Sequence, residues 1–347
     1  MELRDIPVEG WRRVVHVRDR AARLDAVISV HDASLGPGCG GVRVFPYSSF
    51  EDGLADALRL SRAMSFKNAL AGIPFGGGKA VIIADPKDKT AEMFRAFGRA
   101  LNELGGLYHT AEDSGVSERD LQYTHEISQW VGGIAAGGKG GNPSPYTARG
   151  VWRGIEASAR CRLRRSDLRG LKVAIIGVGA VGMALAELLN RAGAKLVVAD
   201  VNPQAVATAV KRFDAVAMSA EEGVGADVDV LAPCALGGAI TKERLVRLKA
   251  SIVAGGANNQ LATPDLDEAM RAMGVLYAPD YVINAAGVIS VGLEILGSWS
   301  EEEMTGRIDA IGPRLLRLFE RAERERRATG AIADEMAIDV IRSKRAA

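Results

Sequence analysis

The run from residue 171 to residue 200 constrains the fold more than any other part of the chain. Residues 171–176 (LKVAII) form a continuous apolar run, typical of a strand buried on both faces of a parallel sheet. The segment 177–182 (GVGAVG) follows at once, and a helical pattern then leads to a second strand-like run that ends at Asp200. A Gly-x-Gly-x-x-Gly turn between a strand and a helix, with an acidic residue ending the next strand, is typical of a dinucleotide-binding domain. The pattern therefore predicts a doubly wound α/β fold.

Each glycine of this turn has a physical task. The first makes the tight turn, the second lets the pyrophosphate approach the backbone, and the third lets the helix pack on the strand. The helix N-terminus offers unpaired N–H groups to the phosphates. A carboxylate at Asp200 accepts the ribose hydroxyls of NAD and repels the extra phosphate of NADP, so NAD is the predicted cofactor; a glycine-rich structural turn is the alternative. The predicted contacts are Gly177, Gly179, Ala180, Val181, Gly182 and Asp200.

Length and composition place this domain in a larger α/β protein. The chain has 347 residues, which predicts two domains separated by a cleft, the usual place for a small ligand. A hydrophobic content of 48% and a net charge of +1 exclude a disordered chain and a general nucleic-acid binder. The glycine- and proline-rich run 137–145 can only be a loop. We predict an N-terminal α/β catalytic domain, residues 1–135 with 329–347 packing back on it, and a Rossmann-type domain, residues 136–328.

Within the N-terminal domain, strand-like and helix-like segments alternate. The strand-like runs are 26–30, 41–45, 79–84 and 107–110. Helices are expected after Ser48, Thr90 and Ser117, and a further helix over 147–160 leads into the second domain.

Other features bear on location and partners. Residues 1–7 lack a basic start followed by an apolar core, so no secretory signal is expected. The longest uncharged apolar stretch, 173–186, is shorter than the roughly 20 residues that span a membrane. Three scattered cysteines suit a reducing cytosol, and four histidines without ligand spacing predict no metal site. We expect a cytoplasmic protein without membrane or nucleic-acid partners.

Two lysines of the first domain lie in unusual sequence surroundings. Lys67 lies near the end of a predicted helix, and Lys79 follows three glycines at the start of a strand. Lysines are rarely placed in apolar surroundings without a function. The alternatives are a flexible loop at 76–78 and a solvated helix end at 66–68.

Eight segments complete the pattern: 35–43 (LGPGCGGVR), 64–69 (MSFKNA), 76–79 (GGGK), 110–113 (TAED), 141–145 (GNPSP), 232–235 (APCA), 257–260 (ANNQ) and 277–284 (YAPDYVIN). With these segments the chain resembles the leucine/phenylalanine/valine branch of the amino-acid dehydrogenase family, whose larger relatives are the glutamate dehydrogenases. The resemblance extends from about residue 25 to 345. It implies reversible oxidative deamination of an L-amino acid, with water and NAD, to a 2-oxo acid, ammonia and NADH.

The resemblance also implies roles for particular residues. Lys67 binds the substrate carboxylate, with help from the backbone of Gly40 and Gly41 and from Asn258. Lys79 is the acid/base that polarises the carbonyl and activates water, and a cation near it, such as Lys67, lowers its pKa. Asp113 moves protons at the substrate amine, and its neighbour Glu112 is structural. Three residues are expected near the nicotinamide and its ribose: Thr147, Ala235 and Asn258. Cys234 is interpreted as a packing residue, because no base accompanies it.

The substrate is expected to be hydrophobic. In the glutamate members that the chain resembles, a lysine before the two glycines pairs with the side-chain carboxylate of the substrate. Here that position is Cys39, so the side-chain carboxylate of glutamate would have no partner. The pocket is expected to contain Cys39, Met64, Ala111, Val288 and Val291. Leucine and other branched amino acids are the first expectation, and phenylalanine or another aromatic amino acid is the alternative.

Two other classes of function are considered. A non-catalytic NAD-binding sensor would keep residues 177–182 but should have lost Lys67, Lys79 or Asp113, all of which are present. A glycine-rich scaffold without a ligand fits less well. We expect an enzyme that forms a homodimer or a higher homo-oligomer.

Overall fold

The chain folds into two units, each with its own six-stranded sheet. The fold is taken from a computed structural model that describes residues 1–134, 143–235 and 237–345. Unit 1 comprises Met1–Gly141, Val288–Met304 and Ala337–Ala347, and unit 2 comprises Asn142–Gly287 and Thr305–Met336. Residues 137–142 of the loop predicted at 137–145 lie outside the described residues.

The strands of unit 1 are β1 (Glu2–Asp5), β2 (Arg13–Asp19), β3 (Leu24–Asp32), β4 (Gly38–Phe45), β5 (Gly76–Ile83) and β6 (Tyr108–Glu112). The helices that begin before residue 134 are α1 (Phe50–Ala71), α2 (Ala91–Glu103) and α3 (Glu118–His125). The sheet has the order β1-β2-β3-β5-β4-β6. Strands β1, β2, β3 and β5 pair antiparallel, whereas β4 is parallel to both β5 and β6.

Helices α1 and α2 cover different faces of this sheet. Ala80 and Ile82 of β5 pack in one core with Phe94 and Phe97 of α2. Val81 packs in a separate cluster with Ala57 of α1. Because successive side chains of a strand point to opposite faces, Lys79 shares the α1 face with Val81.

The strands of unit 2 are β7 (Lys172–Ile176), β8 (Lys195–Ala199), β9 (Val216–Ala217), β10 (Val230–Pro233), β11 (Ile252–Val253) and β12 (Leu276–Tyr277). The remaining helices are α4 (Ser144–Arg162), α5 (Ala180–Arg191), α6 (Pro203–Phe213), α7 (Ala220–Val224), α8 (Lys242–Leu245), α9 (Asp265–Ala272), α10 (Asp280–Ile283), α11 (Ala286–Ile295), α12 (Glu301–Asp309), α13 (Ile311–Glu325) and α14 (Thr329–Arg345). All strand pairs of this sheet are parallel, in the order β9-β8-β7-β10-β11-β12.

That order is 3-2-1-4-5-6 when the six strands are numbered from β7, which is the Rossmann order. The order reverses between β7 and β10, and ligands of such sheets bind where the strands reverse, beyond their carboxyl ends. The predicted α/β fold with a Rossmann-type domain is therefore confirmed.

The limits of the units differ from the predicted domain limits in the last third of the chain. Residues 288–304 belong to unit 1, and residues 329–336 belong to unit 2. Gly132 packs so closely on α11 that a β carbon there would lie 2.9 Å from a side-chain carbon of Val291 and of Ile295. The domain limits were predicted from local composition, and local composition does not reveal contacts between residues so far apart in the sequence.

Candidate active site

Glycines bring the strands and helices of the unit 1 site unusually close together. A β carbon on Gly77 would lie 2.1 Å from the Ser65 hydroxyl of α1, and one on Gly78 would lie 2.5 Å from the Tyr108 ring. The flexible loop considered for residues 76–78 is therefore wrong, because these glycines are buried in β5. The predicted strand 79–84 begins three residues earlier, at Gly76, since glycine is needed there for close approach rather than for turning.

Lys79, which is buried, forms an ion pair with the half-buried Asp113. Lys79 is 5% exposed, and its Nζ lies 2.6 Å from Asp113 Oδ2. Burial lowers the pKa of Lys79, and the attraction of Asp113 opposes that effect. Burial also disfavours the Asp113 carboxylate, but Lys79 and Arg43 outweigh it and hold the pKa of Asp113 below its usual range. Lys79 therefore loses its proton more readily than an ordinary lysine, and Asp113 keeps its charge to lower pH than an ordinary aspartate.

Arg43 is the cation that the sequence argument missed. Its Nε donates to Asp113 Oδ2 at 3.0 Å, and its Nη1 donates to Asp56 Oδ2 at 2.9 Å. Its positive charge adds to the lowering of the Lys79 pKa, a role that the sequence argument gave to Lys67. Arg43 stands in the segment 35–43 that carried the resemblance, but nothing local identifies a partner 70 residues away.

Helix α1 carries Met64 and Lys67, both half-buried. Its neighbouring residue Asn68 is fully buried and donates to Cys39 O at 3.0 Å and to Gly76 O at 2.7 Å, which ties β4 to β5. The helix continues to Ala71, beyond Lys67. The solvated helix end considered for 66–68 is therefore wrong.

Gly40 and Gly41 are part of β4, which begins three residues before the predicted start at residue 41. The Tyr108 hydroxyl donates to Gly40 O at 2.6 Å and fixes this peptide segment. A β carbon on Gly40 would lie 2.0 Å from Gly78 O, and one on Gly41 would lie 2.5 Å from Glu112 O. Side chains larger than hydrogen do not fit at these two positions.

Several predicted pocket residues lie close to one another. The β-carbon position of Gly133, whose φ is +78°, is 3.7 Å from Val291 and 3.9 Å from Ala111. The Gly133 N–H donates to Glu294 Oε2 at 2.9 Å, which anchors this turn to α11. Val288 lies half-buried one helical turn before Val291.

Cys39 and His109 are buried neighbours in the register of β4 and β6. Burial raises the pKa of the Cys39 thiol to about 12, so it remains protonated. The His109 ring lies 5.7 Å from Phe75 and 5.1 Å from Trp130, and its Nδ1 has no hydrogen-bond partner among the described residues. Burial lowers the pKa of His109, so it is a neutral polar group in an aromatic environment. The sequence argument did not single it out.

In unit 2, the glycine turn has the geometry that its pattern predicts. Gly177 has φ +103°, and a β carbon there would lie 2.6 Å from Ala235 N in the segment after β10. A β carbon on Gly182 would lie 1.9 Å from Gly177 O, so α5 can pack on the turn only with glycine. At Gly179 nothing lies within 4 Å, and no side chain caps α5 there. Ala180 and Val181 form the first turn of α5, which leaves its N–H groups directed at an open approach.

Asp200 is held beside this turn by two backbone groups. Its Oδ2 accepts a hydrogen bond from Val178 N at 2.7 Å, and its Oδ1 accepts one from Asn202 N at 2.8 Å. The carboxylate therefore lies at the carboxyl end of β8, next to the glycine turn, where a ribose would follow a pyrophosphate.

Asn258 follows β11 and is exposed, and its Oδ1 accepts a hydrogen bond from Asn284 Nδ2 at 2.8 Å. Gln260 is fully buried and donates to Gly255 O at 2.7 Å, which fixes the loop before Asn258. Both amides act on the position of Asn258, and the sequence argument gave them no role. Thr147 lies in the first turn of α4, half-buried.

Other features of the described residues lie outside these two groups. A cavity of about 690 Å³ in unit 2 is lined by residues such as Asp267, Tyr277 and Tyr281, and by none of the predicted site residues. Burial raises the pKa of Cys234 to about 11, which agrees with a packing role rather than a nucleophile. Within 1–134, 143–235 and 237–345, no group of His, Cys, Asp and Glu is arranged to hold a metal ion, and no helix is long and apolar enough to cross a membrane.

One unit has a Rossmann sheet with an open glycine turn and an anchored carboxylate, and the other has a buried lysine paired with an aspartate. Together these features define a nicotinamide-dependent dehydrogenase. Two profiles of one family match the chain. "Glu/Leu/Phe/Val dehydrogenase, dimerisation domain" matches residues 12–130, and "Glutamate/Leucine/Phenylalanine/Valine dehydrogenase" matches residues 201–346. Residues 144–235 match "D-isomer specific 2-hydroxyacid dehydrogenase, NAD binding domain".

Individual proteins extend the similarity to nearly the whole chain. A leucine dehydrogenase of Geobacillus stearothermophilus is 44% identical over 97% of this chain and 92% of its own length. A valine dehydrogenase of Streptomyces virginiae is 41% identical over 94% of this chain and 93% of its own. The crystal structure of L-tryptophan dehydrogenase from Nostoc punctiforme superposes with a TM-score of 0.88, at 37% identity, over 97% of both chains. The chain belongs to the Glu/Leu/Phe/Val dehydrogenase family of amino-acid dehydrogenases.

Proposed function

We propose that the protein catalyses the reversible, NAD-dependent oxidative deamination of a hydrophobic L-amino acid to its 2-oxo acid. The observation that carries the proposal is the ion pair of the buried Lys79 with Asp113, with 2.6 Å between Nζ and Oδ2. A non-catalytic sensor of NAD would have no need for this pair, because burying two charges costs free energy. The whole reaction converts the amino acid, water and NAD to the 2-oxo acid, ammonia, NADH and a proton.

In this proposal the residues of unit 1 bind the substrate and move protons. Lys67 binds the substrate carboxylate, together with the backbone of Gly40 and Gly41. NAD, when bound, accepts the hydride from the α carbon. Lys79 in its neutral form takes a proton from the water that attacks the imine carbon, and its lowered pKa suits that task. Asp113 moves protons at the substrate nitrogen, which converts the carbinolamine amine to a leaving ammonia.

The preferred substrate in this proposal is leucine or another branched amino acid. Cys39, Met64, Ala111, Val288 and Val291 offer no charge for a second carboxylate, which argues against glutamate. Aromatic amino acids are a second candidate. Cys39 leaves more room than a leucine would, and the aromatic surroundings of His109 lie directly beside it.

We further propose NAD rather than NADP as the cofactor. The described residues fit it: the space at Gly179 is open to a pyrophosphate, and the Asp200 carboxylate is fixed by two N–H groups. Thr147, Ala235 and Asn258 contact the nicotinamide end. The Asp200 charge disfavours a 2′-phosphate.

For the protein as a whole, we propose a cytoplasmic homodimer or higher homo-oligomer. The description of the profile that matches residues 12–130 names dimerisation, which supports self-association of unit 1. In this proposal, residues of unit 1 transfer the protons and residues of unit 2 bind the cofactor.

A single assay tests the proposal. Purified protein is given NADH, ammonia and a panel of 2-oxo acids, and the loss of NADH absorbance is recorded. Turnover with the oxo acids of leucine, valine or isoleucine supports the first candidate, and turnover restricted to aromatic oxo acids supports the second. Binding of NADH without turnover on any oxo acid would contradict the enzyme and favour the sensor.

A further inference from the structure

We propose that Arg43 is a positioning residue that sets the pH range of the reaction, and that Asp56 and Tyr47 hold it in place. The inference rests on the proposed function, since it concerns the protonation of Lys79 and Asp113.

Arg43 and Lys79 bind the same oxygen of Asp113. Lys79 Nζ lies 2.6 Å from Oδ2, and Arg43 Nε lies 3.0 Å from it. The two cations thus hold the carboxylate through one shared oxygen.

Arg43 is itself held from its far side. Its Nη1 donates to Asp56 Oδ2 at 2.9 Å, and the same oxygen accepts a hydrogen bond from the Tyr47 hydroxyl at 2.6 Å. Arg59 binds the other oxygen of Asp56 at 2.6 Å. A planar guanidinium joined to two carboxylates through different nitrogens has little freedom to turn, so its charge stays beside the Lys79–Asp113 pair.

This charge is permanent, because arginine does not lose its proton in proteins. A fixed positive charge favours ionised Asp113 and disfavours protonated Lys79, so it lowers the pKa of both groups. Other charged or titratable groups that act on the pair include Asp56 on α1 and Tyr108 and Glu112 on β6. Asp56 raises the pKa of Lys79, whereas Arg43 lowers it. Arg43 lies between Asp56 and Asp113 and contacts both.

The test is the pH profile of kcat/KM for Arg43→Met, Arg43→Lys and Asp56→Asn. Loss of the charge in Arg43→Met raises the pKa of Lys79, which acts in its neutral form, and should move the acid limb of the profile to higher pH by about 1–3 pH units. Arg43→Lys keeps the charge and should move the acid limb by less than half as much. Asp56→Asn keeps the Arg43 charge but removes a negative charge that raises the pKa of Lys79, so it should move the acid limb the opposite way, to lower pH, and by less.

Arg95→Met is the matched control, because Arg95 lies on α2, on the other face of the sheet, in an ion pair with Glu126 at 2.7 Å. Its profile should coincide with that of the parent.

NADH binding confirms that each variant is folded, and Arg43→Lys and Asp56→Asn provide the test if Arg43→Met does not fold. A lower kcat with the acid limb at the parent pH would overturn the inference and make Arg43 merely structural. Parent-like turnover of Lys79→Met would instead contradict the proposed function itself.

Discussion

The candidate site residues of unit 1 and of unit 2 differ in the kind of chemical group that they provide. In unit 1 the groups are charged side chains in contact, the buried Lys79 and the half-buried Asp113, Arg43 and Asp56, joined in one series of ion pairs. In unit 2 they are chiefly backbone groups of the turn after β7, with a single carboxylate, Asp200, fixed by two N–H groups. Proton transfer needs groups whose charge can change, whereas holding a phosphate needs only fixed N–H dipoles.

This difference also decides how each part responds to substitution. A change in unit 1 alters the charge balance of several neighbours at once, and residues in one network do not act additively. A change at Gly177 or Gly182 in unit 2 acts by steric overlap, because a β carbon at either position would meet backbone atoms. The first kind of change should affect turnover and the second should affect cofactor affinity.

Lys79→Met should have the largest effect. It removes the group that takes the proton from water, so kcat should fall by roughly 10²–10⁴-fold, the usual contribution of a general acid/base. Steady-state kinetics measure the fall, and NADH fluorescence should give an unchanged dissociation constant. Lys87→Met is the matched control, because Lys87 is an exposed lysine of the same unit and should leave kcat unchanged. A Lys79→Met enzyme with near-parent kcat would remove Lys79 from the mechanism.

Gly182→Ala comes next and tests unit 2 alone. The added carbon would lie 1.9 Å from Gly177 O, so the turn must shift. The displaced N–H groups lose hydrogen bonds to a charged phosphate, worth about 1–3 kcal/mol, so NADH binding should weaken by about 5- to 150-fold. Gly306→Ala, where nothing lies within 4 Å, should bind NADH like the parent. Equal affinity of Gly182→Ala and Gly306→Ala would show that the turn does not bind the cofactor.

Asp200→Ser should change the choice of cofactor rather than the chemistry. Without the carboxylate the 2′-phosphate of NADP is no longer repelled, and an ion–ion interaction near a surface is worth on the order of 1–4 kcal/mol. We expect the preference for NAD, as the ratio of kcat/KM values, to fall by about tenfold. A parent protein that already used both cofactors equally would contradict the role of Asp200.

Cys39→Leu should have the smallest effect. The added bulk should reduce turnover of aromatic substrates more than that of valine, by about fivefold, or roughly 1 kcal/mol. The measurement is the ranking of kcat/KM over the same panel of substrates, with Cys161→Ala as a control for loss of a thiol. An unchanged ranking would mean that Cys39 does not line the pocket.

The same contrast explains what the sequence could predict. The Rossmann unit was predictable because its strand, turn, helix and Asp200 follow one another within 30 residues, and each has a local signature. In unit 1 the resemblance identified Lys67, Lys79 and Asp113 as candidates, but not what surrounds them. Arg43 and Asp113 are 70 residues apart, and no periodicity connects them.

Strand limits failed where glycine had a tertiary role. Residues 76–78 favour a loop by composition, yet they belong to β5 because Ser65 and Tyr108 leave no room for a side chain. Strand β2 (Arg13–Asp19) was not predicted, although it pairs along its whole length with β3. His109 gave no signal either, since its burial depends on Phe75 and Trp130, which flank it only in the fold.

The division of work between the two units can be measured directly with four proteins: the parent, Lys79→Met, Gly182→Ala and the double variant. Kcat at saturating NADH and the dissociation constant of NADH are determined for each. The account predicts that Lys79→Met lowers kcat alone, that Gly182→Ala weakens NADH binding alone, and that the double variant shows both effects at their single-variant size. A Lys79→Met protein that binds NADH as poorly as Gly182→Ala, or a double variant no more impaired than either single one, would contradict it.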